Sequence, residues 1–204
     1  MNQQVAEHYW SMIPSSAQVV LDLGCATGDM ARFAPRPVSM FGLDADKNSV
    51  AVAGRFASVQ QWDLDCARPL PYESAQFDAV VAKDVLEHLQ KPWVLLQEVR
   101  RVLKPGGTLL VSVICEFGRR TWSDYTHVRG FTETTARQLI ADAGFEVRDS
   151  WRMGGIPLSS RLSFVHLNRF ILRVPPCHWI WTSSYELHAT RPIEDRVVED
   201  AIES

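Results

Sequence analysis

No run of apolar residues in this 204-residue chain approaches the length of a membrane span, and its first residues lack a basic-then-apolar leader. A membrane span and a secretory route are therefore not expected, and the expected location is cytoplasmic. Cysteine is scarce too: Cys25, Cys66, Cys115 and Cys177 lie far apart and form no Cys-x-x-Cys pair. Idle or buried thiols in a reducing compartment fit this usage better than disulfides or zinc, and spacing assigns no metal ligands. Basic charge is not in excess, because 21 lysines and arginines stand against 24 acids, a net charge of −3. Arg100-Arg101 and Arg119-Arg120 are isolated pairs, read as solvated or helix-terminal, so nucleic acid is not an expected partner. Repeats and low-complexity tracts are missing as well. What remains is 46% hydrophobic content, enough for a full core, in a length that suits a single domain over 1–204 with insertions.

The richest stretch is Val19-Val20-Leu21-Asp22-Leu23, which runs apolar into the small-residue turn Gly24-Cys25-Ala26-Thr27-Gly28 before helix-forming residues from Met30. This pattern is a strand delivering its carboxyl end into a loop where backbone can approach a ligand. A strong acid closes the next apolar segment: Asp44 stands 20 residues beyond Gly24 (44 − 24), the distance at which an acid can accept both hydroxyls of a ribose. The chain therefore reads as a binder of a nucleoside-containing cofactor. A dinucleotide loop needs a third glycine so that pyrophosphate can rest on the helix N-terminus, and the register here runs Gly24, Ala26, Asp29. Asp29 would repel that pyrophosphate, whereas an amino-acid moiety bearing an ammonium tolerates acids such as Asp22.

Asp22-Leu23-Gly24-Cys25-Ala26-Thr27-Gly28 resembles the Asp-x-Gly-x-Gly-x-Gly motif of the class I S-adenosylmethionine-dependent methyltransferases, with Ala26 replacing the middle glycine. Such an alanine is expected to keep a negative φ. The resemblance extends over about residues 16–150 through further segments in the family's order. They are Val59-Gln60-Gln61-Trp62-Asp63, a short strand ending in an acid; the buried strand Phe77-Asp78-Ala79-Val80-Val81-Ala82; the Glu87-His88 pair, expected at the start of a helix; a helix over 93–103; and Leu103-Lys104-Pro105-Gly106-Gly107, expected to close that helix with glycine. The resemblance implies an α/β fold, a Rossmann-like doubly wound sheet of seven strands, mostly parallel with an antiparallel last strand and helices on both faces. It implies S-adenosyl-L-methionine as cofactor, held by Asp22, Gly24, Cys25, Ala26 and Gly28, with Asp44 and Ala45 at the ribose and Asp63 and Leu64 at the adenine. Asp65 is the neighbour most easily confused with Asp63. Lys83 points to the cofactor's methionine end or to an acceptor carboxylate, or else pairs with Asp84 or Glu87.

Acceptor-binding residues belong beyond the carboxyl ends of the strands and in insertions, expected at about 114–131 and 153–183. The first carries Asp124-Tyr125-Thr126-His127-Val128-Arg129-Gly130-Phe131-Thr132, a run similar to one in bacterial small-molecule members of the family. One reading has His127 facing the transferred methyl as base or orienter, with Asp124 and Tyr125 as weaker candidates. The other has Thr126, His127 and Arg129 tying the loop to the sheet edge, with Thr132 capping a helix over 133–143. The second insertion shows a helical pattern over 160–174 followed by Pro175-Pro176 and Trp179-Ile180-Trp181. A lid, a homodimer surface, an interfacial membrane contact and an extra helix on the sheet edge all stay open for it. An initial helix over 2–12, bearing Val5, Tyr9 and Trp10, either lies over the cofactor or packs the core edge. Two functions are carried forward: methyl transfer to a small-molecule acceptor oxygen, nitrogen or carbon, and a catalytically silent S-adenosylmethionine-binding protein that acts through a protein partner.

Overall fold

The computed structural model describes residues 1–66, 68–116, 121–154 and 182–193. Strands among them are β1 (Val19–Leu23), β2 (Ser39–Asp44), β3 (Ser58–Gln61), β4 (Phe77–Lys83), β5 (Leu103–Ile114), β6 (Glu146–Gly154) and β7 (Thr182–Thr190). The α-helices among the described residues are α1 (Gln3–Met12), α2 (Asp29–Arg32), α3 (Lys47–Ala53), α4 (Pro92–Val102) and α5 (Glu133–Asp142). The strands form one seven-stranded sheet in the order β3-β2-β1-β4-β5-β7-β6. Pairs from β3 through β5 are parallel, and β7 is antiparallel to both β5 and β6. The expected doubly wound sheet with its reversed last strand is present.

Alternation along the central strands sorts the layers, because successive side chains of a strand point to opposite faces. Leu21, Leu23, Val80, Ala82, Leu109 and Val111 join one buried cluster with Leu95, Leu96 and Val99 of α4 and Ala136 and Ile140 of α5. Val20, Ala79, Val81 and Leu110 face the other cluster, with Ala6, Tyr9 and Trp10 of α1 and Met30 of α2. Strands covered on both faces must be apolar nearly throughout, which is why β1, β4 and β5 from Leu109 onward are nearly continuous hydrophobic runs. Burying each large apolar side chain contributes about 1.5–3 kcal/mol. Tyr9 and Trp10 are thus core residues, and Trp10 Nε1 donates to the Met30 carbonyl at 2.9 Å. No helix among the described residues is long and apolar enough to cross a membrane.

Three local expectations are corrected. α4 ends without a glycine cap: Leu103 is its extended C-cap and also pairs with Phe77, so the chain enters β5 directly. Lys104 to Gly107 instead form a bulge between the Phe77–Leu103 and Ala79–Thr108 pairs, with Gly106 at φ +77° and its N–H donating to the Arg191 carbonyl at 2.8 Å. β3 stops at Gln61, so Asp63 sits in the loop beyond it. Glu87 and His88 lie in a single 3-10 turn, Leu86–His88, and the α-helix starts only at Pro92. Residues 155–181, including the expected helix over 160–174 and Cys177, lie outside the described residues, as do Arg119 and Arg120.

Candidate active site

The loop after β1 is tied down at both ends. The Gly24 and Cys25 N–H groups donate to the Leu43 carbonyl at 2.8 and 3.1 Å, and the Gly28 N–H donates to the Cys25 carbonyl at 2.9 Å. Gly28 has φ +81°, and a Cβ there would stand 2.9 Å from Cα and Cβ of Ala53. Only glycine fits between loop and α3. Ala26 overturns its expectation, for its φ is +45°. The reason is Asp44, whose Oδ2 accepts the Ala26 N–H at 2.8 Å, while Oδ1 accepts the Asp46 N–H at 2.9 Å. A left-handed alanine costs about 1–2 kcal/mol, which a hydrogen bond to a carboxylate, worth about 1.5–3 kcal/mol, offsets.

Beyond the carboxyl ends of β1 and β4 lies a cavity of about 190 Å³ lined by Met1, Asp22, Gly24, Cys25, Ala26, Asp29, Lys83 and Asp84. The structure therefore brings together Asp22, Gly24, Cys25, Ala26 and Lys83 of the sequence-derived set. Gly28 and Asp44 shape the loop from behind. Ala45 follows Asp44 and accepts from Gln61 Nε2 at 3.0 Å. Asp63 and Leu64 are outside the cavity wall, although the Trp62 N–H donates to the Asp44 carbonyl at 2.8 Å and brings their loop alongside. Asp63 is exposed and accepts the Asp65 N–H at 2.9 Å, whereas Asp65 accepts the Gln90 N–H at 2.8 Å and is a structural tie.

The cavity is acidic. Burial, and next the neighbouring Asp44 carboxylate, push the Asp22 pKa up to about 7, opposed by the Lys83 ammonium. Burial and then the same acids push the Cys25 thiol up to about 12, so it is no nucleophile near neutral pH. Lys83 pairs with Asp84, whose other oxygen accepts from Ser112 Oγ at 2.8 Å. Ser112 was missed by sequence reasoning, because nothing in the β5 run marks one buried hydroxyl as facing the site.

On the neighbouring side, the loop over 121–131 is pinned to the segment after β4. Thr126 Oγ1 meets His88 Nδ1 at 3.0 Å, Arg129 Nη2 donates to the Gln90 carbonyl at 2.8 Å, and the Val128 N–H donates to the Glu87 carbonyl at 2.9 Å. His127 Nδ1 meets the Thr121 carbonyl at 2.7 Å, and its side chain is 8% exposed. It does not line the cavity, but its ring packs on His88 with centroids 4.6 Å apart. Tyr125 is 97% exposed. Thr132 caps α5 through the Thr135 N–H in a reciprocal box with the Thr135 hydroxyl. Glu87, 1% exposed within an apolar run, is the feature the sequence concealed.

A methyltransferase-domain family model matches residues 21–111. A probable S-adenosylmethionine-dependent methyltransferase of Mycolicibacterium smegmatis is 36% identical over 139 residues, covering 64% of this chain and 53% of that protein. The ubiquinone biosynthesis O-methyltransferase of Dinoroseobacter shibae is 30% identical over 187 residues, covering 80% of this chain and 75% of that protein. Among solved structures, the [4+2]-cyclase SpnF superposes with a TM-score of 0.70 at 20% identity, covering 94% of this chain and 82% of that one. That last likeness shows the fold alone. The chain spans about half the length of the first of these relatives.

Proposed function

The chain belongs to the class I S-adenosylmethionine-dependent methyltransferase family, and from that premise we propose that it methylates a small-molecule acceptor. The observation that carries this reading is the acid-lined cavity behind an Asp44-braced loop. Asp22, Asp29 and Asp84 stand there against two cations, Lys83 and the Met1 ammonium that pairs with Asp29 at 3.1 Å, so the wall is net negative once Asp22 is ionised. Such a wall suits the cofactor, with its sulfonium and ammonium, and opposes a pyrophosphate. The residues present fit the group.

In this reading the second lone pairs of the Asp44 carboxylate accept the ribose hydroxyls, and Asp63 and the Leu64 N–H meet the adenine. Gly24, Cys25, Ala26 and Gly28 supply an unobstructed backbone floor. Asp22 faces the ammonium, and Lys83 the methionine carboxylate or the acceptor. A cavity of about 190 Å³ is too small for a whole nucleoside cofactor and suits its methionyl end, with sugar and base in the open groove toward Asp44 and Asp63. S-adenosylmethionine supplies an already activated methyl group, which leaves alignment, desolvation and any removal of an acceptor proton to the chain. His127 and His88, stacked at the acceptor side, are the groups placed nearest that last task. The chain acts as a single unit over 1–204 in this reading.

Calorimetric titration with S-adenosylmethionine and with NAD tests the cofactor assignment: binding of NAD alone overturns it. Release of S-adenosylhomocysteine across phenols, carboxylates, amines and quinol-like lipids, with Asp44→Ala as blank, tests turnover. Cofactor binding with no release from any acceptor class moves the assignment to the silent, partner-dependent alternative.

A further inference from the structure

Three residues beyond Asp84, Glu87 stands beside His88 and His127 with no role in removing an acceptor proton. Glu87 is 1% exposed, and both of its carboxylate oxygens are buried with no side-chain partner among the described residues, only the backbone N–H groups of Glu87 and Ile114 acting on them. Burial pushes its pKa up to about 7. A buried carboxylate left without a side-chain partner is costly, and native proteins rarely leave one without a water, an ion or a function. What faces it is a pair of imidazoles: one ligating atom from each of Glu87, His88 and His127 lies within 4.8 Å of the others.

The tautomers of both rings follow from their contacts. Thr126 Oγ1 is 2.6 Å from Asp124 Oδ1, a carboxylate oxygen that accepts, so the hydroxyl proton is committed there. The same hydroxyl must then accept from His88 Nδ1, 3.0 Å away. The Thr121 carbonyl, 2.7 Å from His127 Nδ1, can only accept as well. Both neutral rings therefore carry their proton on Nδ1 and leave Nε2 without a hydrogen bond among the described residues. Asp124 Oδ2 stands 4.0 Å from His127 Nε2, outside hydrogen-bond distance. A histidine that donates Nδ1–H to a carbonyl or an oriented oxygen while Nε2 stays free is the arrangement metal-bound imidazoles adopt.

We propose that Glu87, His88 and His127 hold one divalent first-row transition-metal cation at the acceptor side of the cavity; the placement at the acceptor side rests on the methyltransferase reading. Two imidazoles and one carboxylate disfavour magnesium and calcium, which take oxygen ligands, and suit zinc, cobalt, iron or manganese. Three ligands around one such ion stand about 3.3–3.6 Å apart, so a spread of up to 4.8 Å closes by about an ångström through rotation of the three side chains. Three protein ligands leave positions open for an acceptor oxygen. Bound there, a hydroxyl releases its proton to solvent more readily and presents its lone pair as the nucleophile. His127 then acts as ligand rather than as base.

The test uses the full chain stripped with a chelator and titrated with Co²⁺, followed by visible absorption and calorimetry. One Co²⁺ per chain with a new visible band is expected, and Glu87→Gln and His127→Gln should each weaken binding about 10- to 100-fold or more. Wild-type chain labelled at the ring nitrogens and titrated with Zn²⁺ needs no variant: Nε2 of His88 and His127 should shift while His8 and His188 do not. No binding, undiminished binding in both variants, or ring shifts elsewhere overturns the proposal. If the metal-free chain binds S-adenosylmethionine but no cation, only the cation site falls; if it binds no S-adenosylmethionine, the reading beneath it falls instead.

Discussion

Replacing Asp44 by alanine removes the one side chain that serves both the loop and the proposed ribose site. Its two oxygens accept the Ala26 and Asp46 N–H groups at 2.8 and 2.9 Å. Both N–H groups lie on exposed residues, so water replaces much of the lost bonding, and the expected stability loss is about 1 kcal/mol. That corresponds to a fall of about 2–4 °C in melting temperature for a domain of this size. The binding loss is larger. Two ribose hydroxyls donating to a carboxylate are worth about 1.5–3 kcal/mol each, or about 3–6 kcal/mol together. At 1.4 kcal/mol per decade the dissociation constant for S-adenosylhomocysteine should rise about 10²- to 10⁴-fold. Asp44→Asn keeps one acceptor oxygen and the shape, so its loss should be about 10- to 10²-fold. Calorimetry on both variants, with melting curves beside it, separates ligand contact from loop collapse. A folded Asp44→Ala chain that binds within about threefold of wild type would refute the placement of the ribose.

Other expectations follow from the same geometry. Asp22 has a folded pKa of about 7 against an ordinary value of 3.8, so the stability its neutral form confers is present at acid pH and lost as pH rises through 7. Asp22→Asn should gain in urea stability relative to wild type between pH 4 and 8, and a constant difference would contradict this. Because an ammonium favours the ionised acid, S-adenosylmethionine should bind wild type more tightly across that range with proton release, and calorimetry in two buffers should lose that release in Asp22→Asn. Gly28→Ala meets both a φ of +81° and Ala53 atoms at 2.9 Å, so its urea midpoint should fall by the equivalent of about 2–5 kcal/mol. Thr132→Ala removes the cap of α5 and should cost about 1 kcal/mol in the same assay. Chelation should lower turnover while leaving S-adenosylmethionine affinity unchanged.

Much of this molecule is legible along the chain because it is local. β1, its turn and Asp44 are read from apolar runs, small residues and one interval, and the seven-stranded sheet with its reversed last strand from the family resemblance. The Pro105-Gly106-Gly107 turn misleads because a helix stop and a strand bulge use the same residue types. Ala26 misleads for a different reason: its φ is set by a carboxylate 18 residues away (44 − 26), which no local propensity contains. Glu87 and His88 are visible as residues, but their partner His127 is 39 positions on (127 − 88), and spacing rules for metal ligands presume near neighbours. Burial of Glu87 without a side-chain partner is a fact of packing alone.

The most direct test is a crystal of the full chain grown with S-adenosylhomocysteine. Both ribose hydroxyls should lie within hydrogen-bond distance of the Asp44 carboxylate, with the amino-acid end in the acidic cavity beside Asp22. An adenosyl group bound elsewhere, or a ligand whose sugar leaves Asp44 to solvent, contradicts that assignment.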